Sequence, residues 1–593
     1  MATVTLTIDG RKVEIEQGST ILEAAKKAGI DIPTLCHLEE INEIGACRVC
    51  VVEVEGAKTL MASCVAPVAD GMVVHTNSPR VRNSRKITVE LLLSNHPYEC
   101  PTCIRNGNCE LQSLAERLGI RSVRYQGERI EYTPDTSTPS IVRDPNKCVL
   151  CRRCVAVCDK IQSVKAIGPL DRGFDTTIGP AFKDPLKDVA CVLCGQCTLV
   201  CPVGALYEKD QIDEVWAALD DPKKHVVVQT APATRVSVGE MFGLPPGSIV
   251  TGKMVAALRR LGFDKVFDTD FTADLTILEE GSEFLERLTK GGTLPLITSC
   301  SPGWIKFIEH FYPDLLPNLS TCKSPQQMFG ALAKTYYAEK MGIDPKDIFV
   351  VSIMPCTAKK FEAKRPEMTS SGYPDIDVVL TTRELGRMLK QAGIDWDALE
   401  EEDYDAPLGI STGAAVIFGA TGGVMEAALR TAYELATGKE LPSVDFHDVR
   451  GFQGIKEATV DVDGTKVNVA VAHTLGNARK VLDRVKSGEA DYHFIEIMAC
   501  PGGCIGGGGQ PIPTNTEIRL KRIAAIYTAD EMMTIRKSHE NPVIKQLYEE
   551  YLGQPLSHRS HELLHTHYYA RSKYPGMEAA TGQHASASPV AAD

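Results

Sequence analysis

Apolar and polar positions alternate from the start of the chain. Val4, Leu6 and Ile8 fall on one side, Asp9-Gly10 offers a hairpin turn, and Val13 and Ile15 resume the alternation. This period of two predicts an antiparallel pair with one buried face. The period then lengthens in ILEAAKKAG, which predicts a helix capped by Ser19 or Thr20 and ending at Gly29. RKITVELLLSNHP also carries apolar residues at helical spacing and predicts a helix ending at His96 and Pro97. After about residue 210, short apolar runs (HVVVQT, LPLIT, IFVVSIMP) alternate with helical stretches, an α/β pattern. Residues 515–570 read as a strand plus helices. The segment 571–593 contains the apolar-poor run GMEAATGQHASASPVAAD and is expected to be disordered.

Composition narrows the setting. A chain of 593 residues suggests about four domains. Its net charge of −13 argues against nucleic acid and anionic membranes, which both reward excess Lys and Arg. MATVTLTIDG has neither the basic nor the apolar stretch of an export signal, and no run of about eighteen apolar residues could span a membrane. The expectation is a cytoplasmic protein, a setting in which cysteines serve metals or catalysis more often than disulfides.

The cysteine spacing carries the chemistry. Cys148-x2-Cys151-x2-Cys154-x3-Cys158 and Cys191-x2-Cys194-x2-Cys197-x3-Cys201-Pro202 repeat the two-cluster ferredoxin pattern, in which the fourth Cys of each run ligates the other cluster. One 4Fe–4S cluster is thus expected on Cys148, Cys151, Cys154 and Cys201, and another on Cys191, Cys194, Cys197 and Cys158. Asp159 stands where the second run has Pro202, which removes no ligand. Upstream, Cys36, Cys47, Cys50 and Cys64 form a lone Cys, a close pair and a distant fourth, which suits a 2Fe–2S cluster; four thiolates also suit zinc. Between these modules lies His96-x3-Cys100-x2-Cys103-x5-Cys109. This set suits zinc and a 4Fe–4S cluster alike, and its place between two ferredoxin-like modules favours iron.

Three further cysteine motifs interrupt the α/β region: TSCSPGW at Cys300, MPCTAKKFE at Cys356, and EIMACPGGCIGGGGQP at Cys500 and Cys504. The first two follow predicted strands, where functional loops gather. The run Gly506–Gly509 permits close backbone approach to something bulky. GATGGV at Gly419 lacks a full GxGxxG and reads as helix packing. Cys322 fits no motif and reads as a buried structural thiol. The histidines between His558 and His567 match no standard zinc spacing.

These three motifs resemble the signatures of iron-only hydrogenases, TSCCPxW, MPCxxKxxE and ExMACxxGCxxGGGxP. The likeness runs from residue 1 to about 560, with TTREL, GATGGVMEAALR and RKSHEN also familiar in that family. It implies a multidomain α+β chain: a β-grasp 2Fe–2S ferredoxin domain (1–78), a 4Fe–4S domain with one histidine and three cysteine ligands (79–120), a two-4Fe–4S ferredoxin-like domain (138–210), a large α/β H-cluster domain (220–515) and a small-subunit-like segment (516–570). The implied cofactors are one 2Fe–2S cluster, three accessory 4Fe–4S clusters and an H-cluster, a cubane joined to a two-iron site with CO, cyanide and azadithiolate. Carried over by position, Cys356, Cys500 and Cys504 ligate the cubane, with Cys504 as the bridge. Lys359 bonds a cyanide, and Met354 and Met498 pack near the two-iron site. Cys300, Glu280, Ser320 and Glu283 form the implied proton relay; both acids share a face of the helix in LTILEEGSEFLERL.

One position departs from the family. Where it has two adjacent cysteines, this chain has Cys300 and Ser301. Either Cys300 keeps the relay role and Ser301 takes a ligand position, or a shifted loop makes Cys300 the ligand. The implied activity is reversible oxidation of dihydrogen. Electrons would pass to flavin- and NAD(P)-binding and Fe–S partner subunits, or to ferredoxin as in a stand-alone hydrogenase. A non-catalytic Fe–S sensor or cluster-assembly protein is the contrasting class: Ser301 speaks for it, and Lys359, Met354, Met498 and the relay acids speak against it.

Overall fold

The computed structural model describes residues 2–574 apart from Asp463. The N-terminal alternation forms the expected hairpin, Thr3–Ile8 against Arg11–Glu16, with Ile8 opposite Arg11. Asp9 and Gly10 both take positive φ, the geometry that matches a tight hairpin to strand twist. Val73–His75 adds in parallel and Val51–Val54 and Met61–Ala62 complete a mixed five-stranded sheet. Val4, Leu6, Ile8 and Val13 pack with the helix Ile21–Lys27, which starts in a capping box between Thr20 and Glu23. The helix Pro79–Ser94 begins at a Ser78 cap with proline in its first turn and stops at Asn95, leaving His96 just past its end.

The two repeated cysteine runs fold alike. Each turns through two left-handed residues, Leu150 and Arg152 in the first and Leu193 and Gly195 in the second, and then enters a short helix, Arg153–Ala156 or Gln196–Val200. Ile141–Arg143 and Leu206–Glu208 pair antiparallel and close the unit.

The large C-terminal unit holds two four-stranded sheets. One runs Lys265–Asp268, His225–Thr230, Ile348–Met354, Val378–Thr381, all parallel. The other runs Leu296–Ile297, Phe494–Met498, Thr465–His473, Ile455–Val462, parallel except for its last strand. Met354 and Met498 end equivalent strands, one in each sheet, and each is followed two residues later by a cysteine. Carboxyl ends of parallel strands are where open α/β sheets gather their ligands.

Two expectations at the C-terminus need correcting. Residues 515–570 contain no strand among the described residues: helices Thr516–Glu531, Pro542–Leu547 and His558–Leu564 account for their longer elements, and one isolated bridge joins His565 to Cys322. Ile523 and Ile526 stand three apart and bury one helical face, which overrides any strand reading. The tail is not disordered from residue 571. Arg571 Nε donates to Glu309 Oε2 at 2.5 Å, and the Ser572 carbonyl lies 2.8 Å from His310 Nδ1. Residues 575–593 of that expected tail lie outside the described residues.

Candidate active site and metal centres

In the N-terminal sheet unit, Cys36, Cys50 and Cys64 are buried, with Cys50 and Cys64 Sγ atoms 3.3 Å apart. The Cys36 thiol bonds to Cys47 and lowers the latter's pKa, and the Cys64 thiol does the same for Cys50. The four thiols therefore stand as two touching pairs, a set that fits a two-iron cluster.

His96, Cys100, Cys103 and Cys109 line one pocket. Burial, with Lys147 nearby, pushes the His96 imidazole down to about 4, so it stays neutral, and its buried Nδ1 has no hydrogen-bond partner. A neutral ring with a free nitrogen is the metal-binding form. Gly204 closes the wall: a Cβ there would sit 2.8 Å from Cys103 Sγ.

Two cavities flank the short helices of the next unit. One is lined by Cys148, Cys151, Cys154 and Cys201, and the other by Cys158, Cys191, Cys194 and Cys197. The fold thus brings together the crossed sets that the spacing predicts. Burial pushes Cys148 up to about 11 and Cys151 to about 12, a cost that thiolate binding to metal would offset.

A further cavity, the candidate active site, lies at the strand ends of the two sheets of the large unit. Cys300, Ser301, Cys356, Cys500 and Cys504 line it with Lys359, Met354 and Met498, and Cys194 reaches it from the neighbouring cluster cavity. Burial raises the Cys356 and Cys500 thiols and pushes Cys504 up to about 12. A largely apolar chamber with five thiols and one amine suits an iron–sulfur group carrying small anionic ligands. Lys359 Nζ is aimed by Glu362 Oε2 at 2.8 Å and donates to the Cys300 carbonyl at 3.1 Å. The glycine run works differently from expectation. Added Cβ atoms would meet Pro355 O at 2.2 Å (Gly507) and Cys194 O at 2.4 Å (Gly508). The close approach is to neighbouring protein backbone, and it locks this loop onto the cluster loop at Cys194.

Cys300 and Ser301 follow strand Leu296–Ile297, and Ser301 precedes the helix Pro302–Phe311. Burial raises the Cys300 thiol, and Glu280 and Lys359 are the charges it feels most. Ser301 Oγ instead accepts from the Ala499 amide at 3.3 Å, beside Cys500. Glu280 and Glu283 lie on the helix Thr269–Lys290, both buried. Burial pushes Glu280 up to about 8, with Glu283 adding to the rise, while a Ser320 hydrogen bond opposes it. Ser320 Oγ donates to Glu283 Oε2 at 3.1 Å, and Arg287 Nη2 holds Glu283 Oε1 at 2.5 Å near the surface. Glu280, Ser320 and Glu283 thus stand as one buried polar group whose charge is felt at Cys300. Sequence reasoning missed Arg287 at its outer end, although its position four residues after Glu283 was a readable signal.

A relative from Solidesulfovibrio fructosivorans, NADP-reducing hydrogenase subunit HndD, is 56% identical over 585 residues, covering 97% of this chain and 100% of the relative. The chain belongs to the iron-only hydrogenases. Iron hydrogenase 1 of Clostridium pasteurianum is 45% identical over 95% of this chain and 99% of its own length. A solved variant of apo [FeFe]-hydrogenase HydA1 from Chlamydomonas reinhardtii is 50% identical with TM-score 0.56, covering 61% of this chain and 99% of that one. Family models match in order. They are a 2Fe-2S iron-sulfur cluster binding domain (1–79), an NADH-ubiquinone oxidoreductase-G iron-sulfur binding region (85–124) and an NADH-quinone oxidoreductase subunit 3, ferredoxin-like domain (138–207). The C-terminal domain of the iron only hydrogenase large subunit (224–508) and the iron hydrogenase small subunit (516–571) follow. The protein is therefore an oxidoreductase acting on hydrogen, a multidomain chain with 2Fe–2S and 4Fe–4S domains feeding an H-cluster domain. These likenesses do not favour the contrasting reading of a non-catalytic assembly protein. No helix among the described residues is long and apolar enough to cross a membrane.

Proposed function

We propose that this chain is the hydrogen-activating subunit of a cytoplasmic, NAD(P)-linked hydrogenase complex. HndD's name describes an NADP-reducing enzyme with subunits. This chain's own glycine-rich GATGGV segment packs Gly422 and Gly423 against the Val449 and Ile417 carbonyls, which supports helix packing there; flavin and NAD(P) sites would belong to partner subunits. The proposed ligands are Cys36, Cys47, Cys50 and Cys64 for the 2Fe–2S cluster; His96, Cys100, Cys103 and Cys109 for the outermost 4Fe–4S cluster; and the two crossed sets for the next two. Cys356, Cys500 and Cys504 would hold the H-cluster cubane, with Ser301 at the fourth ligand position.

When bound, the H-cluster supplies the metal at which protons and electrons interconvert with dihydrogen. The residues around it do the rest. Glu280 stays protonated through neutral pH and serves as a proton store within reach of Cys300. Ser320 carries the proton between the two acids by giving one hydroxyl hydrogen and accepting another. Arg287 holds Glu283 at the outer end. Lys359, oriented by Glu362, presents positive charge to the cavity. Met354 and Met498 exclude water from its two sides. The observation that carries this reading is the convergence of Cys300, Cys356, Cys500, Cys504 and Lys359 on one buried cavity that meets the relay at Cys300. In matured protein, Cys504→Ala should abolish hydrogen evolution while the EPR signals of the accessory clusters remain. Surviving activity would show that Cys504 is not the bridge.

A further inference from the structure

The C-terminal segment sets a second group of polar side chains against the relay helix. Glu279 is buried one residue before Glu280 and faces away from the cavity. It receives the Tyr548 hydroxyl at 2.6 Å and the Leu556 amide at 2.9 Å. His565 Nε2 lies 3.2 Å from Glu279 Oε2, and His565 Nδ1 lies 2.8 Å from Thr321 Oγ1. Thr321 Oγ1 in turn lies 3.1 Å from Glu283 Oε2, the same oxygen that Ser320 bonds. One hydroxyl therefore stands between a relay carboxylate and a buried imidazole.

That hydroxyl has a single hydrogen, and this restricts the states of its neighbours. If His565 is neutral with Nδ1 accepting, Thr321 donates to it, and the Thr321–Glu283 contact is a hydrogen bond only when Glu283 carries the hydrogen. If His565 carries a proton on Nδ1, Thr321 accepts from it and donates to a Glu283 carboxylate. Burial would raise the Glu279 carboxyl, but the bonds from His565, Tyr548 and Leu556 outweigh it and hold the group below its ordinary value. The imidazole thus has an anion on its far side, the arrangement that stabilises an imidazolium.

We propose that Thr321, His565 and Glu279 form a side branch of the proton route, in which His565 takes a proton from Glu283 through the Thr321 hydroxyl and stores it. The step balances without any other reactant: the Glu283 O–H bond breaks as its proton joins Thr321 Oγ1, and the original Thr321 hydrogen passes to His565 Nδ1. Glu283 becomes a carboxylate and His565 an imidazolium, with no change in net charge. His561, which is exposed, packs its ring against His565 with centroids 4.2 Å apart. The charged and titratable groups around His565 are Glu279, Glu283 and Arg287 from the long helix, Tyr548, Cys322 and His561. The branch rests on the reading of Glu283 as a relay member.

A merely structural latch would need the same contacts, so the test separates shape from proton exchange. Thr321→Val keeps the shape and removes the hydroxyl; Thr321→Ser keeps the hydroxyl. Two quantities are measured on matured protein: the pH profile of hydrogen evolution, and the pH dependence of the infrared carboxylic C=O band of Glu283, identified by its absence in Glu283→Gln. The branch predicts an inflection in the pH profile that depends on the Thr321 hydroxyl. Thr321→Val should remove it, with up to about tenfold lower turnover on its acid side, and should shift the Glu283 band along the pH axis. Thr321→Ser should restore both. His565→Gln should also remove the inflection, and it carries the test should Thr321→Val not fold. A Thr321→Val or His565→Gln profile and band matching wild type would overturn the branch. So would a Thr321→Ser change as large as that of Thr321→Val. Absent CO and cyanide bands in matured wild-type protein would overturn the functional reading and the branch with it.

Discussion

Glu280 shows how much of the chemistry is set by the surroundings of single residues. In sequence it is one acid among several in an acidic helix. Its pairing with Glu283 on one face could be read there, but its burial could not, because that depends on packing from distant segments. Burial raises its folded pKa from 4.5 to about 8. Below pH 4.5 both folded and unfolded chains hold the proton. As pH rises from 4.5 to about 8 the unfolded chain releases it while the folded chain keeps it, so this group lowers stability across that window. Glu280→Gln should therefore be at least as heat-stable as wild type at about pH 8, with a flatter stability–pH slope, measured by thermal melts from about pH 5 to about pH 8. The same variant should lose hydrogen evolution by about a hundredfold or more, the scale of a lost proton-transfer group. An unchanged slope would show that Glu280 titrates normally.

At the scale of elements, the periodicities gave the N-terminal hairpin, the Thr20-capped helix, the helix before His96 and the strands His225–Thr230 and Ile348–Met354 close to where they lie. These are segments in which local pattern and buried face agree. The C-terminal strand failed because its apolar residues serve a helix face. The glycine run was recognised as a site of close approach, but its partners come from loops hundreds of residues away, which no local pattern reveals. Gly508→Ala should force the loop from Cys194 and Gly195, since the new Cβ would fall 2.4 Å from a backbone carbonyl. Overpacking of this kind costs about 1–3 kcal/mol. Thermal melts of the variant should show that loss, and hydrogen evolution from a reductant that feeds the accessory clusters should fall. Wild-type stability would mean that the two loops are free to separate.

At the scale of the whole molecule, cysteine spacing made the electron line legible because cluster ligation demands close local runs. The candidate catalytic cavity was legible only through family motifs, since its proposed ligands come from three loops far apart in the chain. His565 was not found because its partners Thr321 and Glu279 lie 244 and 286 residues away in sequence, and Thr321 because a lone threonine carries no signal. If every proposed site is filled, matured protein should contain about twenty iron atoms per chain: two, twelve and six from the 2Fe–2S, accessory 4Fe–4S and H-clusters. Stoichiometric zinc with iron short by about four would reassign the His96, Cys100, Cys103 and Cys109 site.

The central claim is that one buried cavity separates two duties, holding the H-cluster on Cys356, Cys500 and Cys504 and supplying protons through Cys300. Infrared spectroscopy of matured Cys300→Ala protein tests that division most directly. The CO and cyanide bands should persist while hydrogen evolution stops, because a proton donor has been removed and the metal ligands remain. Loss of those bands in folded Cys300→Ala protein would contradict that division and make Cys300 a ligand.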